Sequence, residues 1–150
     1  MKRLIGISLI MLLAFVGCGS KEVVKPSEEA AQSKRALETL GKMREAYVAR
    51  DMPGVLVSVS PDLKEGYSEF QTSLRRDIEG FPKVELNIDI DRVEISDKLT
   101  KPVFHWTGKW TDKSGVTREG RGNAIIGFKE SGQAMVVDTM TGDSPFGVVK

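Results

Sequence analysis

Five kinds of side chain in this sequence carry chemistry, and the setting of each restricts its use. Asp138 lies in VVDTM, flanked by apolar residues and sharing strand parity with Val136 and Met140. A carboxylate held in an apolar cavity has a raised pKa and can serve as a base or bind a ligand hydroxyl; the other reading is a solvent-facing group or an arginine partner. Tyr47 ends an apolar stripe at helical spacing, which turns its phenol toward an interior. Trp106 and Trp110 share one strand face, and each brings a large apolar surface with one N–H donor, fit either to line a pocket for a flat or lipidic ligand or to fill a core. His105, the only histidine, has the opposite parity, together with Thr107 and Lys109, so it points away from any cavity the tryptophans line. No second histidine or spare cysteine completes a metal-ligand set, and no carboxylate run has calcium-loop spacing. No GxSxG elbow, phosphate-cradling glycine loop with lysine, or Ser/His/Asp set occurs either, and no cofactor is implied.

Cys18, the only cysteine, follows two cations at Lys2 and Arg3, an apolar stretch from Leu4 to Val16, and small Gly17. That is the layout of a secretory signal. Its apolar part would rise only about 20 Å as a helix, against a hydrocarbon core of about 30 Å, which disfavours a stable span. FVGC resembles the bacterial lipobox, whose cysteine is lipidated and becomes the new N-terminus. The resemblance implies cleavage after residue 17, a membrane anchor at Cys18 and, since Gly19 rather than aspartate follows, the periplasmic face of the outer membrane. Residues 18–33 then read as lipidated cysteine and tether, and residues 34–150 as one domain.

The 22 basic and 21 acidic residues nearly cancel, and no Lys/Arg cluster tracks a phosphate backbone, so a nucleic-acid partner is not implied. With 40% hydrophobic residues the chain can build an ordinary core without disulfides.

Ser27 can cap a helix whose first turn carries Glu28 and Glu29, and Ala36, Leu40, Met43 and Tyr47 form its buried stripe. Asp51 is placed to cap a short second helix with Pro53 in its first turn, and Phe70, Leu74 and Ile78 predict a third over Ser68 to Ile78. From Val84 the period becomes two, and the apolar set slips by one after Ile90, which predicts a β-bulge near Asp91 and Arg92. VFHWTGKW, VTREGRGNAIIGFK and AMVVDTMT supply three more strands. Gly120 and Gly122 oppose the two tryptophans, so the rings are expected to lie over bare backbone. The fold class is α+β, about three N-terminal helices packed on a curved antiparallel sheet of about four strands.

AYVARDMPGVLVSVSPDL, RRDIEGFPKVELNIDIDRVEIS and the strands VFHWTGKW and REGRGNAIIGFK resemble the nuclear transport factor 2-like superfamily, also called SnoaL-like. The resemblance implies a cone, with the sheet wrapped around the long helix and a cavity at one end. Such cones serve isomerases, dehydratases and proteins that only bind. In the isomerase branch a first-helix tyrosine donates a hydrogen bond to the reacting carbonyl, a role that would fall to Tyr47 with Asp138 as base. The acidic base that branch carries after its second helix has no clear counterpart in SPDLKEGYSEF. The preferred reading is therefore a non-catalytic, lipid-anchored module in which Tyr47, Trp106, Trp110 and Asp138 hold a small apolar ligand, or whose sheet face holds a protein partner. A homodimer through the face bearing His105, Lys109 and Arg121 would also use that surface.

Overall fold

The computed structural model describes residues 27–96 and 98–148, so Cys18 and the apolar leader lie outside the described residues. Helix α1 runs over Glu28–Val48. The Ser27 hydroxyl accepts the Ala30 N–H at 3.2 Å, and Glu28 and Glu29 stand at the positive end of the helix dipole. The boundary drawn at residue 34 therefore falls inside α1. Its first residues are exposed and touch no core, so no apolar stripe marks them as helix.

Arg50, at a φ of 62°, turns the chain out of α1, and its guanidinium donates to the Ile78 carbonyl at 2.7 Å. Asp51 caps α2 (Met52–Leu56), accepting from the Gly54 N–H at 3.0 Å. Helix α3 covers Tyr67–Gly80, slightly longer at both ends than the apolar spacing predicts, and buries Leu74 and Asp77.

Four strands follow, β1 (Lys83–Ser96), β2 (Leu99–Thr111), β3 (Thr117–Ser131) and β4 (Ala134–Gly142). They form one antiparallel sheet in the order β1-β2-β3-β4. The register shifts between Ile90 and Arg92, which is the predicted bulge. A second shift lies between β3 and β4, where Gly127 pairs with Thr139 but Phe128 pairs with Val137, leaving Asp138 as the extra residue. The outer edge of β4 is covered by the chain after α2: the Ser60 N–H donates to the Val137 carbonyl at 2.9 Å, and the Val137 N–H to the Ser58 carbonyl at 2.8 Å.

One face of the sheet is dry. Leu86, Phe104, Trp106, Trp110, Ile126, Phe128 and Val137 pack there against the α1 stripe, with Leu74 and Phe146 in the same cluster. The architecture is the expected α+β arrangement of three helices on a curved four-stranded antiparallel sheet.

Candidate functional site

At the centre of the dry face three elements bring three polar side chains together. Helical spacing places Tyr47 four residues after Met43 on α1, and Asp77 three residues after Leu74 on α3. Strand alternation turns Trp110 of β2 toward both. The Tyr47 hydroxyl donates to Asp77 Oδ2 at 2.5 Å, and the Trp110 indole N–H donates to the Tyr47 oxygen at 2.8 Å. The Val148 backbone N–H donates to the same Asp77 oxygen at 2.8 Å. Tyr47, Asp77 and Trp110 are 1%, 0% and 3% exposed.

Burial, reinforced by the negative charge and hydrogen bond of Asp77, pushes the Tyr47 phenol far above its ordinary range; the Trp110 N–H acts weakly the other way. Tyr47 is thus a donor whose acceptor is already supplied, and it does not exchange protons near neutrality. The fold favours the neutral phenol, so its contribution to stability is complete below the ordinary value near 10 and declines as pH rises toward the higher folded value. In an alkaline titration monitored by phenolate absorbance, the Tyr47 signal is expected to appear together with loss of the near-ultraviolet circular dichroism of the fold. A phenolate step that precedes unfolding and that Tyr47→Phe removes would contradict this.

Trp106 and Trp110 meet edge to face at 5.9 Å and 87°. They lie over bare backbone as expected, since a Cβ on Gly120 would stand 3.1 Å from the Trp110 ring and one on Gly122 would stand 3.0 Å from the Trp106 ring. Gly108 is tighter still, because a Cβ there would overlap the far end of the Trp110 ring. The Trp106 N–H donates to the Asp143 carbonyl at 2.6 Å, so both indole donors are used inside the protein. Phe146 closes the cone, its ring edge-on to Tyr47 at 5.3 Å.

Asp138 does not join this group, which corrects the expectation of a carboxylate in an apolar cavity shared with Tyr47. The bulge inserts Asp138 between Val137 and Thr139, so parity with Met140 fails. Its carboxylate meets Lys129 Nζ at 2.6 Å and Lys64 Nζ at 3.7 Å, while Val137 and Met140 keep the dry face. The hydrogen bond that Lys129 donates to Asp138 is the main cause that raises its ammonium above the ordinary value. Asp138 thus pairs with two lysines and stands apart from the Tyr47 cluster. Strand β2 places His105 on the outer face, as its parity requires, where Nδ1 lies 2.9 Å from Asp91 Oδ1.

The partner of Tyr47 that residue spacing alone left unnoticed is Asp77. Its signal is its place in Phe70, Leu74, Asp77, Phe81, an acid standing on an apolar helical stripe. A buried phenol and a buried indole nearby also require an acceptor.

Surface cavities open elsewhere. One of about 910 Å³ is walled by Lys64, Leu99, Ile125, Lys129, Asp138 and Thr139 among others. Two shallower ones, about 440 and 330 Å³, lie on the outer sheet face and share Thr107 and Arg121. Tyr47, Asp77 and Trp110 line none of the three.

This layout, a long helix cradled by a curved four-stranded sheet with two short helices closing one side, decides the fold. It is the nuclear transport factor 2-like fold. No protein-family model matches the sequence. No curated protein matches it either. Solved structures do. A conserved protein from Planctomyces limnophilus superposes with a TM-score of 0.66 at 18% identity, over 73% of this chain and 93% of that one. A nuclear transport factor 2-like superfamily protein from Salmonella enterica gives 0.61 at 12%, over 77% and 92%. A candidate dehydratase of the nuclear transport factor 2-like family from Streptomyces avermitilis gives 0.64 at 10%, over 75% and 95%. At these identities the likeness is one of fold, and the fold hosts many activities.

Proposed function

We propose that this chain is a lipid-anchored protein of the cell envelope, held through Cys18 on the periplasmic face of the outer membrane, whose cone is a binding module and not a catalyst. The observation that supports the non-catalytic part is the closed network of Tyr47, Asp77 and Trp110, whose polar groups are already bonded to one another inside the core. The anchor rests on the sequence FVGC behind its apolar run.

The binding surface is the outer sheet face, on which strand register sets a grid: Glu85, Lys109 and Glu119 in one row, Asn87, Thr107 and Arg121 in the next, Asp89, His105 and Asn123 in a third. These nine side chains are exposed. A grid of both signs with shallow concavities matches another protein surface, a second copy of this chain included, better than an acyl chain or a polyanion.

Site-specific photocrosslinking in the native envelope tests this. A photoreactive residue at position 107 is expected to form protein adducts, whereas one at the exposed Arg76 position of α3 is not. Equal yields at both positions, or none at 107, would remove the outer face as the binding surface. Separately, Cys18→Ala is expected to move the protein from the membrane to the soluble periplasmic fraction with loss of the acyl mass. Membrane retention of that variant would refute the anchor.

A further inference from the structure

Local partners account for the charges of the outer-face grid with one exception. Glu85 pairs with Lys83 at 2.7 Å, Lys109 with Glu119 at 2.8 Å, and Asp89 stands 3.7 Å from the His105 ring. Arg121 is the exception, because its guanidinium forms no ion pair among the described residues. It is exposed on β3 opposite Thr107, and with Asn123 it lines a cavity of about 330 Å³. That cavity lies where β3 runs past the end of β4, whose last pair joins Ala124 to Gly142.

Asp143 lines the same cavity, and its backbone is held in place there. Gly142, at a φ of 84°, turns the chain sharply, and a Cβ on it would overlap the Asn123 carbonyl. Asp143 then donates its N–H to that carbonyl at 2.8 Å and accepts the Trp106 indole N–H through its own carbonyl at 2.6 Å. A Cβ on Gly122 would stand 2.5 Å from the Asp143 Cβ, so β3 is bare where this residue lies against it. The main chain of Asp143 is thus clamped from two sides while its side chain is exposed. Among the described residues its carboxylate forms neither an ion pair nor a hydrogen bond.

Two opposite charges without partners therefore line one cavity and do not join each other. We propose that this cavity is a binding site for a small zwitterion of the α-amino-acid class, with its carboxylate on Arg121 and its ammonium on Asp143. A guanidinium presents a planar fork that matches a carboxylate, and a carboxylate accepts the donors of an ammonium. A simple anion would gain Arg121 but meet the charge of Asp143, and a simple cation would meet the reverse. Only a ligand with both charges is complementary to both walls. The volume lies at the small end for small-molecule sites, which suits a compact amino acid and not a peptide. The Thr107 hydroxyl and the Asn123 amide, exposed in the same cavity, add neutral donors and acceptors for the polar ends. The site needs no protein on the outer face, so it stands or falls independently of that reading.

The test titrates three probes into the full, isotopically labelled chain: L-alanine, N-acetyl-L-alanine, which lacks the ammonium, and L-alaninamide, which lacks the carboxylate. Nuclear magnetic resonance follows the Gly122 and Asn123 amides and the Arg121 Nε. L-Alanine is expected to shift these signals saturably below about 50 mM, and each single-charge analogue to bind at least about 10-fold more weakly. Arg121→Gln is expected to bind L-alanine no better than L-alaninamide, and Asp143→Asn no better than N-acetyl-L-alanine. Both side chains are exposed, so both variants should keep the native spectrum elsewhere. Absence of a saturable shift with L-alanine, equal binding of the three probes, or wild-type binding by either variant would overturn the proposal.

Discussion

Asp77→Ala is expected to lower the stability of the domain by about 3–5 kcal/mol, read as a fall in the urea midpoint with an unchanged slope. At least two donors lose their acceptor in this variant, the Tyr47 hydroxyl and the Val148 N–H, and hydrogen bonds to a charged partner contribute about 1.5–3 kcal/mol each. Water cannot replace the carboxylate at a position that is 0% exposed without opening the core. Domains of this size have a total stability of about 5–15 kcal/mol, so the variant stands near the edge of folding. Asp77→Asn keeps one carbonyl oxygen of the same shape and is expected to lose roughly half as much. Tyr47→Phe removes the matching donor, so Tyr47→Phe combined with Asp77→Ala should cost less than the two single effects added, because the shared hydrogen bond is lost only once. Strict additivity would mean that the 2.5 Å contact contributes little, and a loss below about 1 kcal/mol in Asp77→Ala would mean that the carboxylate does not hold the core together.

The asymmetry between Asp77 and Asp138 shows which parts of the site were legible in the sequence. Faces set by an unbroken period were readable: Ala36 to Tyr47 on α1, Phe104 to Trp110 on β2, Gly120 to Phe128 on β3, and the slip that marks the bulge near Arg92. Each repeats a local geometric rule, and burial of the apolar side enforces it. Asp138 was misplaced because its strand also carries a bulge, and VVDTM shows no break in its apolar pattern; the shift is created by pairing with Gly127 and Phe128 of another strand. Asp77 lies on a helix whose period was read correctly, yet a charged residue on a dry stripe counts as polar in any pattern of hydrophobicity. Its role depends on Tyr47, thirty residues earlier, and on the Val148 N–H, seventy-one residues later. The segment after β4 has no period at all. Only the tertiary structure shows that Phe146 packs in the core against Tyr47.

Trp110→Ala is expected to destabilise by about 3–5 kcal/mol, the usual loss on removing a large buried aromatic, and the glycines beneath it supply a sharper test than the magnitude. Gly108→Ala in the wild-type protein forces a methyl group into the end of the Trp110 ring, which is held by the Tyr47 hydroxyl on one side and the Trp106 ring on the other. Overpacking of that kind costs about 1–3 kcal/mol. In the Trp110→Ala background the ring atoms that this methyl group would meet first are gone. There Gly108→Ala should be neutral or stabilise by about 0.4–1 kcal/mol, because alanine loses less backbone freedom on folding than glycine does. The change of sign between the two backgrounds, measured by urea unfolding of all four proteins, is the expected signature of a glycine kept bare by a neighbouring ring. If Gly108→Ala destabilises equally in both, its lack of a side chain serves the backbone and not Trp110. The indole would then be positioned by its bond to Tyr47 alone, and Trp110→Phe, which keeps a ring but no donor, should lose its orientation as measured by near-ultraviolet circular dichroism.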